Sequence, residues 1–214
     1  MYQPAAFREE RLEILHALIH SHPLGTLITG GASGLLANLI PFVMVPGGEK
    51  GTLRAHIARG NDQLEALRAG AETLVIFQGP ESYITPSWYV SKREHGRVVP
   101  TWNYVVVQAR GTPRVFDDPD WIRAQIGELT SLQEGQRTAA WSVTDAPETY
   151  ISGLLKAIVG IEIPVATLEG KWKVSQNQSA ADRSGVHEGL RREGINEEMA
   201  RVVEERSIAR KSGE

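Results

Sequence analysis

The sequence predicts a mainly β fold with flanking helices. Three observations carry that expectation: short apolar runs punctuated by glycine-rich turns from Leu24 onward, amphipathic helical patterns around them, and three compact blocks in which aromatic and amide residues concentrate.

The elements follow in order. Phe7 to Ser21 reads as an amphipathic helix, with Leu12, Leu15 and Ile19 on a broad apolar face that stops before Pro23. His16 and His20 have chelating spacing, but no acid or further histidine is placed to complete a shell, so no metal site is expected. From Leu24 the pattern becomes LGTLIT, a GGASG turn, LLANLIPFVMV, a PGGEKG turn and TLRAHIA, a meander of antiparallel strands. Alternation in Thr52–Ala58 sets Leu53, Ala55 and Ile57 on a packing face and Arg54 and His56 on the other. Arg59-Gly60-Asn61 leads into DQLEALRAG, a short helix with Asn61 as its N-cap.

Glu72–Phe77 is the next strand, after which Gly79-Pro80 predicts a turn, and Thr85-Pro86 holds Ser87, Trp88 and Tyr89 on a rigid irregular segment. Val105–Val107 is central-strand material, entered through Thr101, Trp102 and Asn103, with Trp102 facing away from the other two. Asp118-Pro119 starts a helix, and a second follows Ala146-Pro147 with Leu154, Leu155 and Ile158 buried. Trp121 and Trp141 read as structural. IEIPVATLEGKWKVSQN returns to strand, and past Asp182 the chain is helical and charged. Residues 1–190 are expected to form the barrel domain and 191–214 a charged helical tail.

A chain of 214 residues with 41% hydrophobic content can bury a sizeable core. No stretch approaches a membrane span, the first residues carry acids where a signal peptide would be basic and then apolar, and cysteine is absent; a cytoplasmic protein is expected. Without cysteine there are no disulfides, thiolate metal sites or cysteine nucleophiles. A net charge of −3 gives DNA binding no electrostatic support, and the arginines of the last portion alternate with glutamates as on a solvated helix.

The three blocks are FQGPESYITPSWY, VVPTWNYVVV and GKWKVSQN, and they contain three of the five tryptophans. Rings alone serve a core; rings interleaved with amides and hydroxyls, which are costly to bury unsatisfied, suit a planar ligand with polar edges. In their order and spacing these blocks, with the opening MYQPAAF, resemble the PaiB family of FMN-binding negative transcriptional regulators, through about Leu190. The resemblance implies an FMN-binding split β-barrel of the flavin-reductase and pyridoxamine-oxidase type, and a homodimer holding FMN in grooves between subunits.

The residues carry their own chemistry. His56, Arg59 and Asn61 sit at a strand-to-helix step where helix N–H groups and a cation can hold a phosphate. Local sequence leaves a plainly capped helix equally open, and the resemblance favours the phosphate. In GKWKVSQN, alternation sets Lys171, Lys173 and Ser175 on one face, an anion site or an edge strand guarded by lysines. Gln176 and Asn177 follow, placed to meet the pyrimidine edge of a flavin. Together with Ser87, Trp88, Thr101, Trp102 and Asn103 these are the expected cofactor-binding residues.

No nucleophile elbow and no dinucleotide-binding glycine fingerprint is present, so any redox chemistry belongs to the cofactor. Three functions follow: an FMN-binding regulator, a flavin-dependent oxidoreductase, and a haem-binding barrel with His56 as axial ligand.

Overall fold

The computed structural model describes residues 1–31 and 34–211, with side chains as far as Ile208. Ala32 and Ser33 of the expected GGASG turn lie outside the described residues, as do the side chains of Arg210 and Lys211. In chain order the elements are β1 (Arg8–Glu9), α1 (Leu12–Ser21), β2 (Leu24–Gly31), β3 (Gly34–Pro41), β4 (Val43–Val45), β5 (Thr52–Ala58), α2 (Leu64–Arg68) and β6 (Thr73–Ile84). There follow α3 (Ser91–Glu94), β7 (Thr101–Gly111), β8 (Arg114–Phe116), α4 (Pro119–Glu134), α5 (Glu148–Leu155), β9 (Ile158–Pro164), β10 (Thr167–Lys173), α6 (Ala180–Arg192) and α7 (Glu197–Lys211). The mainly β fold with flanking helices is therefore observed. The chain forms two compact units: a larger one of Leu12–Phe77 and Gln108–Leu168, and a smaller one of Met1–Arg11, Gln78–Val107 and Glu169 onward.

The larger unit contains a four-stranded antiparallel sheet in the order β4-β5-β9-β8. Period-two alternation in β5 delivers Leu53, Ala55 and Ile57 to the interior, where their partners in register are Ile163, Ile161 and Val159, all buried. The β2–β3 hairpin pairs along its whole length, and β2 also pairs with the start of β6 through Thr26↔Ile76 and Ile28↔Leu74. Leu15 and Ile19 of α1 are fully buried, and Phe42 meets Phe77 edge to face at 5.7 Å. Asp118 caps α4 by accepting from the Asp120 N–H, with Pro119 at the first helical position as the sequence suggests. Trp121 stacks on Phe116 at 4.4 Å, and Ile122 packs with Ile151 and Leu155 of α5.

In the smaller unit the strand order is β1-β10-β7-β6, with Arg8 opposite Lys171 and Glu9 opposite Gly170. α6 and α7 pack together, burying Val186, Leu190, Met199 and Val203. α6 also lies directly on the segment that carries Trp88. A Cβ at Gly185 would come within 2.0 Å of the Trp88 carbonyl oxygen, and one at Gly189 would enter the indole. Backbone cannot yield as a side-chain tip can, so Gly185→Ala is expected to cost about 3 kcal/mol, a fall of about 6–12 °C in Tm measured by calorimetry. An unchanged Tm would mean that α6 can slide off this contact without cost.

Several expectations need correction. The first helix begins at Leu12 rather than Phe7, because Arg8 and Glu9 pair with β10 and the Glu9 carboxylate takes the Glu10 and Arg11 N–H groups. No turn forms at Gly79-Pro80: β6 runs on to Ile84, and two consecutive buried residues, Gly79 and Pro80, shift its alternation by one position. The second predicted helix ends at Leu155 because Ile158 already pairs with Ala58, and Leu154 is exposed. Trp141, expected to be structural, is also exposed. The strand predicted through Asn177 stops at Lys173.

Candidate functional site

The smaller unit brings two of the three sequence blocks together, where β7 and β10 present one face to the same space. On β10, Lys171 and Lys173 are one alternation apart, and both ammonium groups lie over the Tyr104 ring of β7, at 5.2 and 5.8 Å from its centroid. Lys173 Nζ donates to Thr101 Oγ1 at 2.5 Å and to the Trp102 carbonyl at 2.6 Å. Lys171, buried, donates to the Tyr2 carbonyl at 3.1 Å. Neither forms an ion pair among the described residues.

This arrangement has an electrostatic consequence. Burial lowers the Lys173 pKa below the usual lysine value; the charge of Lys171 adds to the shift, and Tyr104 opposes it. Two adjacent cations with no ion-pair partner among the described residues are a poor resting state and a good receptor for negative charge. β10 is not a free edge at this point, since Lys171 pairs with Arg8 of β1. Protection of an edge strand therefore does not account for that lysine.

Below the lysines, β10 gives way to a tight loop. Ser175 has φ 66°, a left-handed conformation that only glycine adopts without cost. It is buried, and its hydroxyl accepts from Asn103 Nδ2 at 3.0 Å, tying the loop to β7. A cavity of about 150 Å³ is lined by Thr101, Asn103, Lys173, Ser175 and Asn177. A second cavity, of about 310 Å³, is lined by Gln78, Glu81, Trp102, Tyr104 and Val106. Its exposed Trp102 meets Tyr83 edge to face at 5.9 Å.

Other expected residues lie elsewhere. Gln176 folds onto its own strand end, accepting from the Val174 N–H at 2.7 Å and donating to the Trp172 carbonyl, so its amide is spent on shaping the loop. Trp88 is buried under α6 and donates its indole N–H to Glu193 at 2.9 Å. Its size and polar handle serve packing there. Ser87 is exposed and accepts from Lys92 at 3.1 Å.

His56, Arg59 and Asn61 belong to the larger unit, and each has a partner within it. The Nδ1 of His56 is 2.8 Å from Gln125 Oε1. Arg59 donates to the Lys156 carbonyl and to Asp117, which also holds Arg68. Asn61 accepts from the Gln63 N–H at 2.9 Å, so it caps a turn and the helix starts only at Leu64. A helix of five residues offers little dipole. The cavity beside it, about 150 Å³, is lined by Thr29, the glycines of β2, Asp62 and Glu65, carboxylates where a phosphate would want cations.

Tyr104 was not among the expected residues, although it lies two positions from Trp102 on the same strand face. Its signal in the sequence was that alternation. Nothing local shows that two lysines of another strand will share its ring.

Residues 1–167 match the model of a family described as "Putative FMN-binding domain". An uncharacterized protein of Aspergillus fumigatus is 35% identical, over 96% of this chain and 97% of that one. The "Protease synthase and sporulation protein PAI 2" of Bacillus subtilis is 29% identical over 90% of each chain. Among solved structures, the FAD and heme binding protein from Mycobacterium smegmatis is similar in fold, with a TM-score of 0.57 and 19% identity over 78% of this chain and 73% of that one.

Proposed function

The chain belongs to the PaiB family of FMN-binding split-barrel proteins, and on that footing we propose that the β7–β10 face of its smaller unit holds the flavin and keeps it redox-active. The observation that carries this reading is the pair of ammonium groups over Tyr104, neither of them in an ion pair among the described residues. FMN is the cofactor, and when bound it supplies electron transfer.

The residues present fit that cofactor. Lys171 and Lys173 provide positive charge for an anionic group beside Tyr104, which with Trp102 forms a flat aromatic wall in a cavity that Glu81 also lines, while Thr101, Asn103 and Asn177 line a separate, smaller cavity next to Lys173. Negative charge brought near Lys173 offsets the burial that lowers its pKa, so binding an anion and keeping the lysine charged support one another. Thr101 and the Trp102 carbonyl orient that ammonium group.

The reading includes a homodimer. One face of the β2–β3 hairpin and the paired start of β6 carries apolar side chains, with Leu24, Leu35 and Leu39 exposed and Ile28, Leu74 and Ile76 half-buried. Leu35 and Leu39 are 80% and 64% accessible, which is costly for a continuous sheet face in water, and a second copy covers it. A cytoplasmic location fits the absence of cysteine. No helix among the described residues is long and apolar enough to cross a membrane.

FMN titrated into flavin-free protein should bind saturably, with the mass of two chains by sedimentation, and a nicotinamide hydride donor added without oxygen should bleach the flavin bands as the donor is oxidised. Binding without reduction by NADH or NADPH would remove the redox part, and absence of binding would remove the whole reading. The name of the Bacillus relative favours a second reading, a transcriptional regulator. Its measure is salt-dependent preference for promoter over random DNA, against a net charge of −3.

A further inference from the structure

The smaller unit has another cavity, between α6 and α7, beyond the residues that match the family model. Its volume is about 240 Å³, and Arg183, Ser184, His187, Glu204, Ser207 and Ile208 line it. None of these residues takes part in the β7–β10 face.

Arg183 is the unusual member. It is only 8% accessible, an exposure at which a guanidinium is normally matched by a carboxylate. Here Nη1 donates to the Gln178 carbonyl at 2.7 Å, while Nε is buried and finds no partner among the described residues. Asp182, its neighbour in sequence, is turned away to Ser91. A fixed cation with no carboxylate partner among the described residues therefore lines the cavity. His187 and Glu204 also line the cavity, 3.7 Å apart, and Glu204 is the more exposed of the two.

We propose that this cavity binds a small oxyanion, a phosphate or carboxylate group, through the Arg183 guanidinium. The planar fork of arginine matches either group. Glu204 opposes it from the rim, which sets the affinity below what the arginine alone would give. The volume admits inorganic phosphate or a short dicarboxylate.

Calorimetric titration of the FMN-saturated full chain with inorganic phosphate, and separately with succinate, at constant ionic strength tests the site. Saturable binding of either probe is expected, and the tighter of the two identifies the ligand group. Arg183→Met should weaken it about tenfold or more, and Glu204→Gln should tighten it about threefold, with FMN affinity unchanged in both. No saturable binding of either probe overturns the proposal, and so does equal affinity in Arg183→Met. If that variant does not fold, Glu204→Gln decides, and unchanged affinity in it overturns the proposal.

Discussion

Lys173→Met is expected to weaken FMN binding about tenfold or more while leaving the fold within about 1 kcal/mol of wild type. The asymmetry follows from where the ammonium group sits. It is held by a hydroxyl and a carbonyl near the surface, Thr101 Oγ1 and Trp102 O, and both can turn to water when it is removed. What cannot be replaced is a positive charge fixed beside the cavity lined by Thr101, Asn103, Ser175 and Asn177. Lys171→Met is a harsher change, because that side chain is buried between Tyr2 and Tyr104 and its loss also leaves a packing defect.

The same geometry sets the pH dependence. Burial lowers the Lys173 pKa, so the free protein loses this charge at a lower pH than an ordinary lysine would. Only the charged form attracts an anion, so FMN affinity should fall as pH rises toward the ordinary lysine range near pH 10.4, and the fall should begin below it. A fluorescence titration of wild type and Lys173→Met across that range checks both points. Equal affinities, or an alkaline decline that persists in the variant, would assign the lysine pair to structure alone.

The β meander and the Asp118 cap were legible because both are set by neighbours in sequence, alternation in the one case and a side chain reaching two residues on in the other. The lysines of β10 were legible for the same reason. Other candidate residues are engaged by partners that local sequence does not show. Arg59 was open to a phosphate until Asp117, 58 positions away, was seen to hold it. Gln176 reads as a ligand amide unless the chain is known to turn left-handed at Ser175 and fold that amide onto Trp172. Trp88 has the composition of a binding residue and the location of a core residue, because two glycines a turn apart on α6 leave room for its ring and carbonyl. Sequence reports which groups are available, and long-range packing decides which of them remain uncommitted.

Glu9→Gln is expected to lower stability at neutral pH by about 3 kcal/mol and to lose most of that effect in acid. Glu9 is 4% accessible, and burial by itself would raise its pKa. Hydrogen bonds from Arg11 and Arg206 outweigh burial and hold the carboxyl at about 2, against 4.5 for the ordinary group. Both Arg11 Nη2 and Arg206 Nη2 approach Oε2 at 2.6 Å. A depressed acid contributes stability above its unfolded pKa and loses it as pH falls through the folded one, so the window runs from about 4.5 down to about 2. Chemical denaturation of both proteins at pH 7 and again near pH 2 should show the difference shrink across that window, and a constant difference would mean that the glutamine fails by shape rather than charge. The link reaches the site. Arg206 extends from α7 over the Trp172 ring at 5.3 Å, and Glu9 pairs with Gly170, one residue before Lys171. A single buried carboxylate thus holds the last helix against the strand that carries Lys171 and Lys173, and Glu9→Gln should weaken FMN binding as well, although Glu9 is two strands removed from β7.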